Sequence, residues 1–164
     1  MQNIKYRIAT FEDLPFLKEM LYEAVLWSQP HHRPPLGELL SEPELEKILN
    51  NWGEQTGDFG IIALDKSNDP IGAVWCRYFS KDNPSFGFVD ENTPELGIAV
   101  KAEMRSKGIG KLLLEKILSN AKENGIHKIS LSVQPENFAR LLYEKVGFYE
   151  VATFKDAWTM VIDL

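Results

Sequence analysis

The chain has one cysteine, Cys76, in 164 residues, so no disulfide can form within it. Cys76 ends the apolar run Ala73-Val74-Trp75-Cys76, and nothing in the sequence places a histidine beside it. It reads as a buried structural thiol, because Cys without a reactive partner packs like a small hydrophobe. Long apolar runs are missing too. No stretch approaches the roughly 18–20 residues of a membrane span, and Met1-Gln2-Asn3-Ile4-Lys5-Tyr6-Arg7 lacks the apolar core of a signal peptide. A soluble cytoplasmic protein with no membrane partner is expected. Cations are in deficit, with 18 Lys and Arg against 24 Asp and Glu and a net charge of −6. That disfavours a nucleic-acid partner, since phosphate-backbone binding depends on Lys and Arg. Low-complexity tracts and internal repeats are absent. With 44% apolar and 26% charged residues, the composition excludes disordered, collagen-like and coiled-coil classes. His31 and His32 stand beside Pro34 and Pro35 without further ligands, so no metal is expected.

What is present is an ordinary globular composition, of a length that predicts a single domain over 1–164. The charge is uneven. Lys101, Arg105, Lys107 and Lys111 face only Glu103, a local +3, which leaves −9 for the rest of a chain whose net charge is −6. An acidic protein with one basic turn suggests a small polyanion bound at one place.

Periodicity gives the elements. Ile4–Ala9 alternates as a first strand. Thr10, Asp13 and Pro15 supply helix-start chemistry before Leu14, Leu17, Leu21 and Val25, which recur at helical spacing. Residues 31–35 must be irregular, and Ser41-x-x-Glu44 reads as a capping box opening a helix through about Trp52. Strands are predicted at Phe59–Leu64 and Ile71–Phe79 around a turn, then a loop over Ser80–Pro94 and a strand at Glu95–Val100. A helix from Ile109 to about Lys122 places Ile109, Leu112, Leu113, Ile117 and Ala121 on one face, and Gly125 ends it. Lys128–Val133 is a strand and Pro135–Lys145 a helix closed by Gly147. Phe148–Phe154 and Trp158–Ile162 close the chain as strands. The order β-α-α-β-β-β-α-β-α-β-β predicts an α/β fold: a mixed, mostly antiparallel sheet of about seven strands, flanked by about four helices, with one parallel βαβ crossover.

The segment Arg105-Ser106-Lys107-Gly108-Ile109-Gly110-Lys111 lies between a predicted strand and the helix it starts. Helix N-termini offer unpaired N–H groups and positive dipole, and so take phosphates. Two glycines let backbone close around such a group, and the cations add charge-assisted contacts. The string alone also reads as a Gly-rich turn with a solvated basic face. A P-loop would need Gly where Arg105 stands and Ser or Thr at Leu112, and a dinucleotide fingerprint would need a third Gly at Leu113.

A second string, Asn137-x-Ala139-x-x-Leu142-Tyr143-x-x-x-Gly147-Phe148, occupies the last predicted helix and its exit. With both strings in this order, the chain closely resembles the GNAT (GCN5-related N-acetyltransferase) superfamily. Its phosphate loop reads Arg/Gln-x-x-Gly-x-Gly/Ala, and its later helix reads Asn-x-Ala-x-x-x-Tyr followed by Gly-Phe. The resemblance covers Tyr6 to Leu164. It implies an acyl-CoA N-acyltransferase fold whose central parallel strands, Glu95–Val100 and Lys128–Val133, splay to admit acetyl-CoA as co-substrate. It implies that pantetheine pairs with backbone around Ile98 and Val100, and that pyrophosphate sits on Arg105, Ser106, Lys107, Gly108, Ile109, Gly110 and Lys111. It further implies that Asn137 bonds the cofactor, that Tyr143 lies near the sulfur and protonates the departing thiolate, and that Glu95 is the base that deprotonates the amine. In the best-known members that Glu stands one residue further from the position matching Val100.

Other readings of the same residues stay open. Asn137 is also a good N-cap, Tyr143 a helix aromatic suited to a core, and Glu95 a strand-end carboxylate. Trp27, Trp75, Phe86 and Phe88 either frame an acceptor pocket or pack internally. The resemblance points to transfer from acetyl-CoA to a small or peptidyl primary amine by direct attack in a ternary complex. A CoA-binding sensor or interaction module without turnover is the other reading, and a donor such as succinyl-CoA stays open. Many relatives pair, so a homodimer is compatible with the sequence. Asp82, Asp90 and Glu91 around Phe86 and Phe88 suggest an acceptor that is cationic overall.

Overall fold

A computed structural model describes residues 3–164. The elements are β1 (Lys5–Ile8), α1 (Leu14–Val25), α2 (Leu36–Leu39), α3 (Pro43–Leu49), β2 (Phe59–Leu64), β3 (Pro70–Arg77), β4 (Glu95–Val100), α4 (Ile109–Glu123), β5 (Lys128–Val133), α5 (Ala139–Val146), β6 (Tyr149–Phe154) and β7 (Ala157–Asp163). The expected seven strands are all there. The short α2 is an addition, which makes five α-helices among the described residues. The chain divides into two compact units, Met1–Cys76 with Gly97–Ile117, and Arg77–Leu96 with Leu118–Leu164.

In the first unit the strands run in the order β1-β2-β3-β4. β1 pairs antiparallel with β2, from Lys5↔Leu64 to Ile8↔Ile61, and β2 pairs antiparallel with β3, from Phe59↔Cys76 to Leu64↔Pro70. Apart from one end residue each, β2 and β3 are buried along their whole length, which explains why they read as continuous apolar runs and not as alternating ones. Cys76 is fully buried, as expected, and its carbonyl accepts a hydrogen bond from Trp52 Nε1 at 3.3 Å. Leu17, Met20 and Leu21 of α1 and Leu45 and Leu49 of α3 fill the same core.

Two local expectations are corrected. Ser41 does not open a capping box. Its hydroxyl donates to Glu38 O at 2.9 Å, while α3 starts at Pro43 with Glu42 extended at φ −62, ψ 130. Proline disfavours helical backbone in the residue before it and suits the first helical position itself, so the helix start slips forward. The capping box that does form is at Thr10, whose hydroxyl accepts from Glu12 N while Asp13 accepts from Thr10 N at 2.8 Å. On α4 the buried stripe is Ile109, Leu113, Leu114, Ile117 and Ala121, and Leu112 is 43% exposed. Leu112 and Leu114 lie about 100° to either side of Leu113, and the stripe that continues through Ile117 and Ala121 takes in the side of Leu114.

In the second unit Glu95 of β4 pairs parallel with Ser130 of β5, the expected crossover, and Ser130 N donates to Pro94 O at 3.0 Å. β5 pairs antiparallel with β7 from Lys128↔Asp163 to Val133↔Trp158, and β7 with β6. α5 begins at Ala139 and not Pro135. Gly147, at φ 119, ends it in the left-handed position, as Gly125 does after α4 at φ 79. All six residues of β6 are exposed, and its register with β7 shifts between Glu150 and Ala152.

Gly97 marks the tightest approach in the first unit. A β-carbon there would stand 2.5 Å from Trp75 Cε2 and Cζ2. Gly97→Ala is expected to lower the unfolding free energy by about 1–3 kcal/mol, the usual cost of overpacking a core. Urea denaturation followed by tryptophan fluorescence measures this, with an unchanged midpoint as the contrary result.

Candidate active site

The basic glycine loop opens α4 as the sequence indicates. A 3-10 turn at Ala102–Met104 leads into it, Arg105 is extended, and Ser106 (φ 61) and Gly108 (φ 83) are left-handed. Arg105, Ser106, Lys107 and Gly108 are exposed, and Ile109 is buried, which plugs the helix start into the core. The helical ladder first closes at Leu112, whose amide donates to Gly108 O at 3.1 Å. The amides of Gly108 to Lys111 therefore precede the first backward bond and carry the dipole's positive end. A β-carbon built at Gly108 would meet nothing within 4 Å, so space is open in front of the loop. Lys111 is mostly exposed, with Glu115 Oε1 3.8 Å from its ammonium. Open amides, open space and two reachable cations fit a pyrophosphate.

Arg105 differs from its neighbours. Its amide donates to Ala102 O at 3.3 Å and its Nε to Val100 O at 3.1 Å, and Nη2 lies 3.4 Å from Glu23 Oε2. Both its polar ends are thus engaged within the chain. Val100 and the loop are thereby brought together. Ile98 and Val100 are half-buried on β4, beside β3.

The remaining candidates lie in the second unit on separate elements. Glu95 begins β4, and its Oε1 accepts from Gly87 N at 2.7 Å. A β-carbon at Gly87 would stand 2.7 Å from that oxygen and from the backbone carbon of Leu131, so only glycine fits there. Sequence reasoning missed Gly87, and its place between Phe86 and Phe88 is the signal that could have pointed to it. Asn137 stands one residue before the N-cap of α5, Phe138, and makes a local turn there: its Oδ1 accepts from Ala139 N at 3.0 Å, and its backbone N–H donates to Gln134 O at 2.9 Å. This local turn displaces the helix start from Pro135. Tyr143 is 7% exposed, its ring edge-on to Phe148 with centroids 5.9 Å apart. Burial raises its phenol pKa well above the ordinary value, so the hydroxyl stays protonated.

The acids near Phe86 and Phe88 have local duties. Asp90 Oδ1 accepts from Asn92 N and Thr93 Oγ1, and Glu91 Oε2 accepts from Lys81 N at 3.0 Å. Phe86 and Phe88 are half-buried, and Trp75 belongs to the core. His31, His32 and His127 are exposed. Among the described residues no group of three His, Cys, Asp or Glu side chains is placed to hold a metal, and no helix is long and apolar enough to cross a membrane.

Comparison with known proteins adds the family. The sequence profile of the Acetyltransferase (GNAT) family matches residues 19–148. The [Ribosomal protein bS18]-alanine N-acetyltransferase of Haemophilus influenzae is 36% identical over 104 residues, 63% of this chain and 62% of that protein. A mycothiol acetyltransferase of Propionibacterium freudenreichii is 25% identical over 123 residues, 74% of this chain and 37% of its own length. The chain therefore spans less than two thirds of either relative. The PaiA N-acetyltransferase of Thermoplasma acidophilum, crystallised with coenzyme A, shares the fold over 99% of both chains at 24% identity, with a TM-score of 0.72. With its profile running through most of the sequence, the chain belongs to the GNAT acetyltransferase family.

Proposed function

We propose that this protein transfers the acetyl group of acetyl-CoA to a primary amine by direct attack in a ternary complex. The observation that carries the reading is the loop at the start of α4, where unbonded amides, a left-handed Gly108 with open space before it, and Lys107 and Lys111 coincide. The family profile crosses both compact units, which supports treating the chain as one catalytic domain. Acetyl-CoA, when bound, supplies an activated thioester carbonyl and a thiolate leaving group.

The chain's residues then have distinct tasks. Ser106 to Lys111 hold the pyrophosphate, and backbone around Ile98 and Val100 pairs with the pantetheine amides. Asn137 shapes the start of α5 and keeps its side-chain amide nitrogen as a donor toward the cofactor. An amine acceptor arrives protonated, with a Lys-like pKa near 10.4, and must lose a proton before its nitrogen can attack. Glu95, oriented by Gly87 N–H, takes that proton directly or through water. The bond from nitrogen to the acetyl carbon forms, the carbon–sulfur bond breaks, and Tyr143 Oη holds the proton that the departing sulfur takes. The burial that raises the Tyr143 pKa favours the neutral, protonated hydroxyl and so keeps it a donor. The acceptor is a small or peptidyl amine, cationic overall, drawn by the −9 carried outside the basic turn. The alanine N-acetyltransferase named for ribosomal protein bS18 makes a peptide amino terminus the first acceptor to try.

Two measurements test the reading. Acetyl-CoA is expected to raise the melting temperature, and Gly110→Glu to abolish the shift by blocking and repelling phosphate. A full shift in Gly110→Glu removes the loop from the cofactor site. Tyr143→Phe is expected to keep acetyl-CoA affinity and to lower turnover by roughly 10²–10⁴-fold at every pH between 7 and 9.5. Unchanged turnover returns Tyr143 to the core, and binding without turnover in the unaltered protein identifies a CoA-binding module instead.

A further inference from the structure

The phosphate loop is held from a distance. Glu23, on α1, receives two hydrogen bonds from Arg33 Nη1, at 2.9 and 3.0 Å. Arg33 is itself fixed, with Nε donating to Gln29 O at 2.6 Å, Nη2 to Leu26 O at 3.2 Å, and its guanidinium 5.5 Å over the ring of Tyr22. The carboxylate is therefore half-buried and immobilised before it meets a second cation. That cation is Arg105, the first residue of the loop, at 3.4 Å. Arg105 is tied in three directions: to the end of β4 through Val100 O, to the 3-10 turn through Ala102 O, and to α1 through Glu23. Directly after it come the left-handed Ser106 and Gly108. A non-glycine residue persists in that conformation only where its surroundings hold it there, and Arg105 supplies the holding contacts.

We propose that Glu23 is a positioning residue of the phosphate loop: through Arg105 it keeps the loop in the shape that presents its amides, and the Arg105 guanidinium is a strut, not a phosphate ligand. This rests on the cofactor reading of the loop. It makes an unusual prediction of sign. By charge alone, an acid near a polyanion site weakens binding, so Glu23→Gln should tighten it. As the anchor of a strut, Glu23 strengthens binding, so the same change should loosen it. Arginine's fork also matters: lysine keeps the charge but cannot bond Val100 O and Glu23 together.

The test uses the full chain and acetyl-CoA as probe, with Kd from calorimetry and steady-state kinetics beside it. Glu23→Gln and Arg105→Lys should each raise Kd about three- to five-fold, the range of a partly exposed ion pair. The double variant should bind no more weakly than the weaker single one, because both act along one path. The loss should fall on KM for acetyl-CoA and not on kcat, which separates loop placement from general damage. Tighter binding by Glu23→Gln, wild-type affinity in Arg105→Lys, or additive losses in the double variant would each overturn the proposal while leaving the cofactor site in place. An unaltered protein that binds no acetyl-CoA removes the cofactor reading itself. Melting temperatures without ligand identify any variant that is unfolded at the assay temperature, and Arg105→Lys, at an exposed position, then decides alone.

Discussion

A helix cannot satisfy its own first amides, and in this protein that constraint falls on α4 at the place where the chain is most basic. The amides of Gly108 to Lys111 have no turn behind them, and the loop before them is bent by two left-handed residues. Such an arrangement holds only if it is pinned from both sides. Ile109, Leu113 and Ile117, each at most 2% exposed, fasten the helix from within. Arg105 fastens the loop from without, by bonding to Val100, Ala102 and Glu23. The buried strands β2 and β3 serve the same end, since they supply the apolar wall against which an amphipathic helix can rest without polar compensation.

The carboxylates of Glu95 and Glu23 are treated alike. Glu95 accepts from the backbone amide of Gly87, and Glu23 from the guanidinium of Arg33. In each case a neighbour with no alternative geometry sets the direction in which the acid faces. At Gly87 the lack of alternative is steric, because any side chain would collide with Leu131 backbone. At Arg33 it is a set of competing bonds to Gln29 and Leu26 that already fix the cation.

Much of this was legible in the sequence, and the failures have physical causes. Strand β2, helices α1 and α4 and the closing hairpin follow from periodicity, and Gly125 and Gly147 stop helices because αL backbone suits glycine. The helix after Ser41 was misplaced because Pro43 overrides a capping signal two residues before it. Leu112 was exchanged for Leu114 because each lies about 100° from Leu113, on opposite flanks of the buried stripe, and the spacing from Ile109 favours one while the spacing to Ile117 favours the other. In the candidate site, the place of the basic glycine loop before α4 and of Tyr143 on α5 was legible from their strings, while the roles given to them are proposals. Glu23 was not, since 82 residues separate it from Arg105 and nothing local to α1 marks it. Gly87 was half legible: a glycine between two aromatics hints at a close approach, but its neighbour Glu95 emerges only when the loop is folded.

Strand β6 bears on how the molecule behaves in company. It is exposed along all six residues, with Tyr149, Val151 and Phe154 each close to half uncovered. An open edge of this kind is a template on which other chains can add strands and build fibres. The register shift between Glu150 and Ala152 interrupts that template, because a bulged strand bends and twists and cannot offer a flat, evenly spaced row of donors and acceptors. The irregularity that looks like a flaw in the β6–β7 ladder thus leaves the molecule's exposed margin a poorer template than a straight strand of the same residues.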